Sequence, residues 1–186
     1  MPLADELLGH SRALLSGSPA EIDLRRAVSA AYYALFHLLS SAVAEQVSPD
    51  LPVGLRGRTQ RALDHGSMVK VARQFSQPGP VPEAIPKDVG FSGPVSQTLA
   101  NVAAAFADLQ SARYSADYDV LDADGKIGPQ WAVDCVAKAE DAFRDWRTEG
   151  TSEGARVFLA ALIIGGLWNK GSQEQVPKNR GSRINP

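Results

Sequence analysis

Residues 24–43 read LRRAVSAAYYALFHLLSSAV. Leu24, Val28, Ala31, Leu35, Leu38 and Ala42 recur in alternating steps of four and three, the spacing that lines one face of an α-helix. Tyr32, Phe36, Leu39 and Val43 widen that stripe. The segment therefore predicts a long, central helix over 20–47, with Ser18 as N-cap and Pro19 at the first helical position. A helix so apolar must be surrounded by others. Val95, Leu99, Val102, Phe106 and Leu109 repeat the same spacing in a second strong helix. Trp131, Cys135, Ala139, Ala142 and Trp146 do so in a third, opened by Gly128-Pro129 and ended by Gly150.

Weaker signals fill the gaps. A short amphipathic helix is expected over 4–15, and a sparser one over 56–75 with Leu55, Ala62, Val69, Ala72 and Phe75 as its apolar contacts. A final helix, over 152–168, carries Val157, Leu159, Leu162, Ile163 and Trp168. These are too apolar to stay in water, so the helix should pack on the bundle or on a second copy. Five prolines and three glycines between Gln77 and Pro94 predict a long loop. No alternating β-branched run suggests a strand. The expected fold is all-α, with a bundle over 1–150, an additional C-terminal helix over 151–169, and a flexible basic tail over 170–186.

Of the 186 residues, 44% are hydrophobic and 22% charged, which is the balance of an ordinary globular domain. One cysteine, Cys135, permits neither an internal disulfide nor a multi-cysteine zinc site, and suits a reducing, cytoplasmic setting. The start, Met1-Pro-Leu-Ala-Asp-Glu6, lacks the positive flank and apolar run of an export signal. The longest apolar stretch, Val157–Trp168, is short of the ~20 residues a spanning helix needs, so no membrane partner is expected. Net charge is −2, but Arg56, Arg58, Arg61, Lys70 and Arg73 stand against only Asp64 in one segment. That local +4 leaves −6 for the rest. A basic helix in an acidic chain suits a focused phosphate site, or is simply a solvated face.

Several polar residues fall where surface decoration would not put them. Arg26, Tyr33 and His37 lie within about 40° of one line on the central helix. Tyr33 and His37 either satisfy each other or a backbone carbonyl, or they edge a pocket between helices. Arg113 continues the stripe of the second strong helix and should point inward, where it needs a partner; Asp117 is one turn on, followed by Tyr118. Arg58 and His65 are seven residues apart, so on one continuous helix they would point the same way. An imidazole beside a guanidinium is what RNA cleavage without metal requires: a proton-transfer group and a stabiliser of phosphorane charge. Asp122-Ala-Asp124-Gly125 is expected to be a turn, since Val120 and Trp131 would stand at calcium-ligand positions. The three histidines lie on separate helices without cysteine or paired glutamate, so no metal is expected.

Arg25-Arg-Ala-Val-Ser-Ala-Ala-Tyr-Tyr-Ala-Leu-Phe-His37 and Arg113-Tyr-Ser-Ala-Asp-Tyr-Asp119 together resemble the paired motifs of small HEPN domains. Arg61-Ala-Leu-Asp-His-Gly66 is similar to segments of the same branch, and the likeness spans about residues 1–150. The resemblance implies an up-and-down bundle of four to five helices, usually a homodimer with a cleft at its interface, and often a nucleotidyltransferase-like partner. It also implies a metal-independent endoribonuclease of toxin, antiphage-defence or RNA-processing type, with no cofactor. The family's usual motif is an arginine, four to six residues, then a histidine. Arg58 and His65 match that spacing but on an earlier helix than is typical, where Arg113, Asp117 and Tyr118 stand instead. The expected roles are therefore His65 as proton-transfer group, Arg58 with Arg61 on the scissile phosphate, and Arg26, Tyr33, His37, Arg113, Asp117 and Tyr118 lining or supporting the cleft. The alternative is a non-catalytic HEPN module that binds RNA, nucleotide or a protein partner, with Arg113–Asp117 as a structural pair.

Overall fold

Tyr32, Leu35 and Leu39 on one side of the long helix and Ala27, Ala30 and Ala34 on others are all buried, so helices cover it from several directions. The structure, a computed structural model, describes residues 2–47, 52–80, 82, 93–122 and 125–171. These form α1 (Pro2–Leu14), α2 (Glu21–Val47), α3 (Val53–Ala62), α4 (His65–Phe75), α5 (Gln97–Tyr118), α6 (Pro129–Glu149) and α7 (Glu153–Gly171). The all-α expectation holds. The one described extended pairing is an isolated antiparallel bridge between Gly79 and Val95 that closes the base of the proline-rich loop. Gly79 sits at φ +132°, which glycine alone adopts readily. The interior of that loop lies outside the described residues.

α2 is the axis. α1, α5 and α6 pack on it to form the main bundle, while α4 and α7 pair with each other and close the side formed by α5 and α2. Small residues let the helices approach: Ala27, Ala31 and Ala34 on α2 and Ala100, Ala103 and Ala107 on α5 are all buried. Between them sit Tyr32, Phe106, Leu35 and Leu109, each at most 1% exposed. A Leu or Phe so buried stabilises the fold by about 1.5–3 kcal/mol. Surface ion pairs such as Arg12–Glu140 and Lys138–Asp108 join neighbouring helices but contribute under ~1 kcal/mol each. Over Glu21–Gln46 the central helix is long and apolar enough to cross a membrane, yet 72% of that window is covered by other helices, as in a core helix.

Two boundaries differ from the sequence expectation. The central helix begins at Glu21, not at Pro19, and the carboxylate of Asp23 accepts a hydrogen bond from the Ala20 N–H at 3.0 Å in place of a Ser18 cap. More consequentially, the expected helix over 56–75 is two helices. Leu63 and Asp64 are extended (ψ 124° and 126°), and Asp64 caps α4 by accepting from Ser67 N–H at 2.8 Å. A cap is available there, while none of the described side chains over 57–64 is fully buried to hold a continuous helix, so the chain breaks and restarts. The side chains of Leu55, Arg56 and Ala62 lie outside the described residues.

The C-terminal apolar helix packs on the bundle itself. Val157, Phe158, Leu159 and Leu162 are buried, and Phe158 meets Phe75 of α4 with ring centroids 5.1 Å apart. Gln46 Nε2 donates to the Arg156 carbonyl at 2.9 Å, fastening α7 to the end of α2. The side chain of Trp168 and the tail after residue 171 lie outside the described residues. α7 crosses α4 at Gly165, where a Cβ would drive into Val71 Cγ2 well inside van der Waals contact. Gly165→Ala should thus destabilise the protein despite the ~1 kcal/mol helix-propensity gain, because crowding of this kind costs about 1–3 kcal/mol and a β-branched valine in a helix cannot turn aside. Urea unfolding checks this: combining Gly165→Ala with Val71→Ala should cost less than the two single losses added together.

Candidate functional site

Tyr32 is 1% exposed, and a buried phenol needs a partner for its hydroxyl. It finds one at the start of α4, where Tyr32 Oη and His65 Nδ1 are 2.5 Å apart. The imidazole also stacks on Phe36 (centroids 4.1 Å, planes 17° apart) and stands edge-on to Tyr33 at 6.2 Å. One ring nitrogen and one ring face are thereby fixed. Nε2 has no partner among the described residues, and His65 as a whole is exposed. Burial of its inner edge lowers the His65 pKa; the nearby charge of Arg113 lowers it further, and that of His37 does so more weakly, against an opposing pull from Asp64. The imidazole is accordingly neutral at pH 7, and burial holds Tyr32 protonated.

Arg113 forms the second half of the site. Its Nη2 donates to Tyr33 Oη at 2.9 Å, and its Nε lies 2.7 Å from Asp117 Oδ2. The latter is an ion pair rather than a hydrogen bond, because the N–H is misaligned with the oxygen. The guanidinium also lies 5.4 Å from the ring centre of Tyr33 and 5.6 Å from that of Tyr118. Asp117 is held in turn by Ser29, whose hydroxyl donates at 2.6 Å. Arg25 ties the same end of α5 to α2: it pairs with Glu21 at 2.7 Å and donates through Nη1 to the carbonyls of Ala116 and Asp119 at 3.0 and 2.8 Å. A cation on the last free carbonyls of a helix is favoured by both hydrogen bonding and the helix dipole.

The structure therefore brings Tyr33, His65, Arg113, Asp117 and Tyr118 together, and adds Tyr32, Phe36, Ser29 and Arg25. Tyr33 is satisfied by Arg113, not by His37 or a carbonyl. His37 is half-buried, edge-on to Phe36 at 5.5 Å, and burial lowers its pKa. Arg26 is exposed and lines a cleft of about 560 Å³ with Arg25, Asp117 and Tyr118. Arg58 and Arg61 are exposed on α3, and the break at Leu63–Asp64 removes the shared helix face that the spacing alone would give Arg58 and His65. Neither arginine bonds to His65. Tyr32 could have been singled out in the sequence as a tyrosine on a core stripe that would need a polar partner; no local signal marks Ser29 or Arg25.

Cys135 is buried, with its thiol pushed up to about 11 by that burial, so it is no nucleophile at neutral pH. Asp122 folds the expected turn: its φ is +40°, and its carboxylate accepts from the N–H groups of Lys126 and Ile127. Asp124 lies outside the described residues. No cluster of metal-ligating side chains occurs among the described residues. Comparison of the chain with family models, with curated proteins and with solved structures returns no match.

His65 and His37 both have folded-state pKa values below the ordinary imidazole value of about 6.5, so the unfolded chain binds more protons just below that pH. Their contribution to stability is complete above pH 6.5 and is lost as pH falls through the folded values. The Tm should therefore decline on acidification from pH 7 to 5, and His65→Asn, which can keep an amide near Tyr32 but cannot ionise, should flatten that decline.

Proposed function

We propose that the chain is a metal-independent, HEPN-like endoribonuclease acting on single-stranded RNA, with His65 as its proton-transfer group. The observation that carries this is the 2.5 Å hydrogen bond between Tyr32 Oη and His65 Nδ1, which orients the imidazole; with Nδ1–H donating to the phenol oxygen, the lone pair is on Nε2, the working atom. A neutral His65 can accept the proton of an RNA 2′-hydroxyl as that oxygen attacks the adjacent phosphorus. The bond to the 5′-oxygen then breaks, the leaving oxygen takes a proton back from the imidazolium or from water, and a 2′,3′-cyclic phosphate results. The cation whose field reaches His65 is Arg113, and its Nη1 has no hydrogen-bond partner among the described residues. In this assignment Arg113 stabilises phosphorane charge, while exposed Arg58 and Arg61 attract the strand from α3. The motif resemblance supports the reading and extends it to a homodimer in the cytoplasm and to a nucleotidyltransferase-like partner.

A second reading, a HEPN module that binds RNA or a protein partner without cutting, is favoured by one feature: the Arg113 guanidinium is already paired with Asp117 and Tyr33. Cleavage of a labelled single-stranded RNA in EDTA separates the two. The nuclease should leave cyclic-phosphate ends, with a rate that rises with pH to a plateau and a midpoint below 6.5. His65→Asn should lower it by about 10²- to 10⁴-fold while circular dichroism remains unchanged. Cleavage undiminished in His65→Asn removes the assignment, and wild-type protein that binds but never cuts establishes the second reading.

A further inference from the structure

The end of α5 carries two large aromatic rings that the bundle does not use. Tyr114 and Tyr118 are 61% and 59% exposed, and their centroids are 5.1 Å apart. They stand one helical turn apart on the same side, next to the 560 Å³ cleft that Tyr118 shares with Ile22, Arg26 and Val120. The charges in that cleft are unequally satisfied. Glu21 is paired with Arg25, and Asp117 is engaged by both Arg113 and Ser29. Arg26 alone among the cleft's charged groups has no carboxylate partner among the described residues, and it is exposed. Aromatic rings beside one uncompensated cation, with the neighbouring carboxylates neutralised, suit a ligand with flat apolar faces joined by anionic links.

We propose that this cleft, between the start of α2 and the end of α5, is a nucleotide subsite for single-stranded RNA, in which Tyr114 and Tyr118 stack bases and Arg26 takes the adjoining phosphate. The inference rests on the RNA reading above and gives it a direction, because Arg113 touches both Tyr118 in this subsite and Tyr33 beside His65. A strand would run from the stacked bases past Arg113 toward His65. A paired duplex could not use the subsite, since its base faces are already stacked, and this restricts the ligand to unpaired RNA.

Binding is measured by fluorescence anisotropy with a 2′-O-methyl 12-mer, which cannot be cut by 2′-hydroxyl attack, and with the same strand bearing abasic sites. The wild type should prefer the strand with bases. Tyr118→Ala should weaken binding to that strand by about 5- to 100-fold, the range for loss of one base–aromatic stack, and should erase the preference over the abasic strand; Tyr118→Phe should restore both. Arg26→Gln should weaken both strands alike and reduce the slope of log K against log salt by about 0.7. Unchanged affinity in Tyr118→Ala, an equal loss on both strands, or no binding of either strand overturns the subsite and leaves Ile22, Tyr118 and Val120 as a protein-docking face. Discrimination as expected, together with no cleavage of unmodified RNA, upholds the subsite and rejects the nuclease.

Discussion

A guanidinium half inside a helical bundle must be met by counter-charge and hydrogen-bond acceptors, or it would cost several kcal/mol. Arg113 is met by Asp117 from its own helix and by Tyr33 from α2, and Asp117 is met in turn by Ser29 of α2. Each link needs the two helices at one rotation and one axial height. A slide of one residue along either axis would part Tyr33 from Arg113 and Ser29 from Asp117 at once. Close packing of Tyr32, Leu35, Phe106 and Leu109 narrows the registers open to the two helices, while the alanine surfaces around them are less exacting. The polar chain selects one of them, and Arg25 repeats the selection by reaching the carbonyls at the end of α5.

The same requirement ties fold to chemistry at α4. Tyr32 is too deeply buried to reach water, so its hydroxyl is satisfied only if the first residue of α4 is placed over it. The Asp64 cap does this by starting a new helix at His65, and hydrogen bonds from the Ser67 amide hold the Asp64 carboxylate below its usual pKa, so the cap is intact at neutral pH. Had α3 and α4 been one helix, His65 would lie in a helix interior with its ring facing a direction set by α3. The break frees the orientation of α4 and lets the imidazole stack on Phe36. A feature of backbone capping thus decides which cation lies near His65: it takes the histidine off the helix face of Arg58 and leaves it in the field of Arg113.

These two levels were unequally legible in the sequence. Strong four-three stripes identified α2, α5 and α6 because burial and helical period coincide there, and Arg113 stood out because it interrupts a stripe with a charge. Arg113 with Asp117 was readable as a pair, since both lie one turn apart on one helix. Tyr32 was absorbed into the stripe: its ring is apolar and its hydroxyl partner comes from another helix. The 63–64 break was obscured because Val69, Ala72 and Phe75 carry a helical period that extrapolates smoothly backwards, while the competing signal is one aspartate in a basic run. Spacing arguments are valid only within an unbroken element, so the Arg58–His65 geometry depended on the one boundary that periodicity does not report.

Charge shows why the site must be read at the scale of contacts rather than of the chain. The total of −2 would repel a polyanion weakly at long range, where salt screens it over about 8–10 Å in any case. Within the cleft the outcome depends on which charges are already used. Glu21 and Asp117, the two acids that line the cleft, have partners within the fold, so they add little negative potential to the opening. Arg26 has no carboxylate partner among the described residues, and it is exposed. Removing an acid's influence by pairing it inside the fold has the same local effect as adding a cation outside, but it leaves the rest of the surface acidic. The pairs that fix the register of α2 on α5, Arg113 with Asp117 and Asp117 with Ser29, are thus the same pairs that set the charge balance of this cleft.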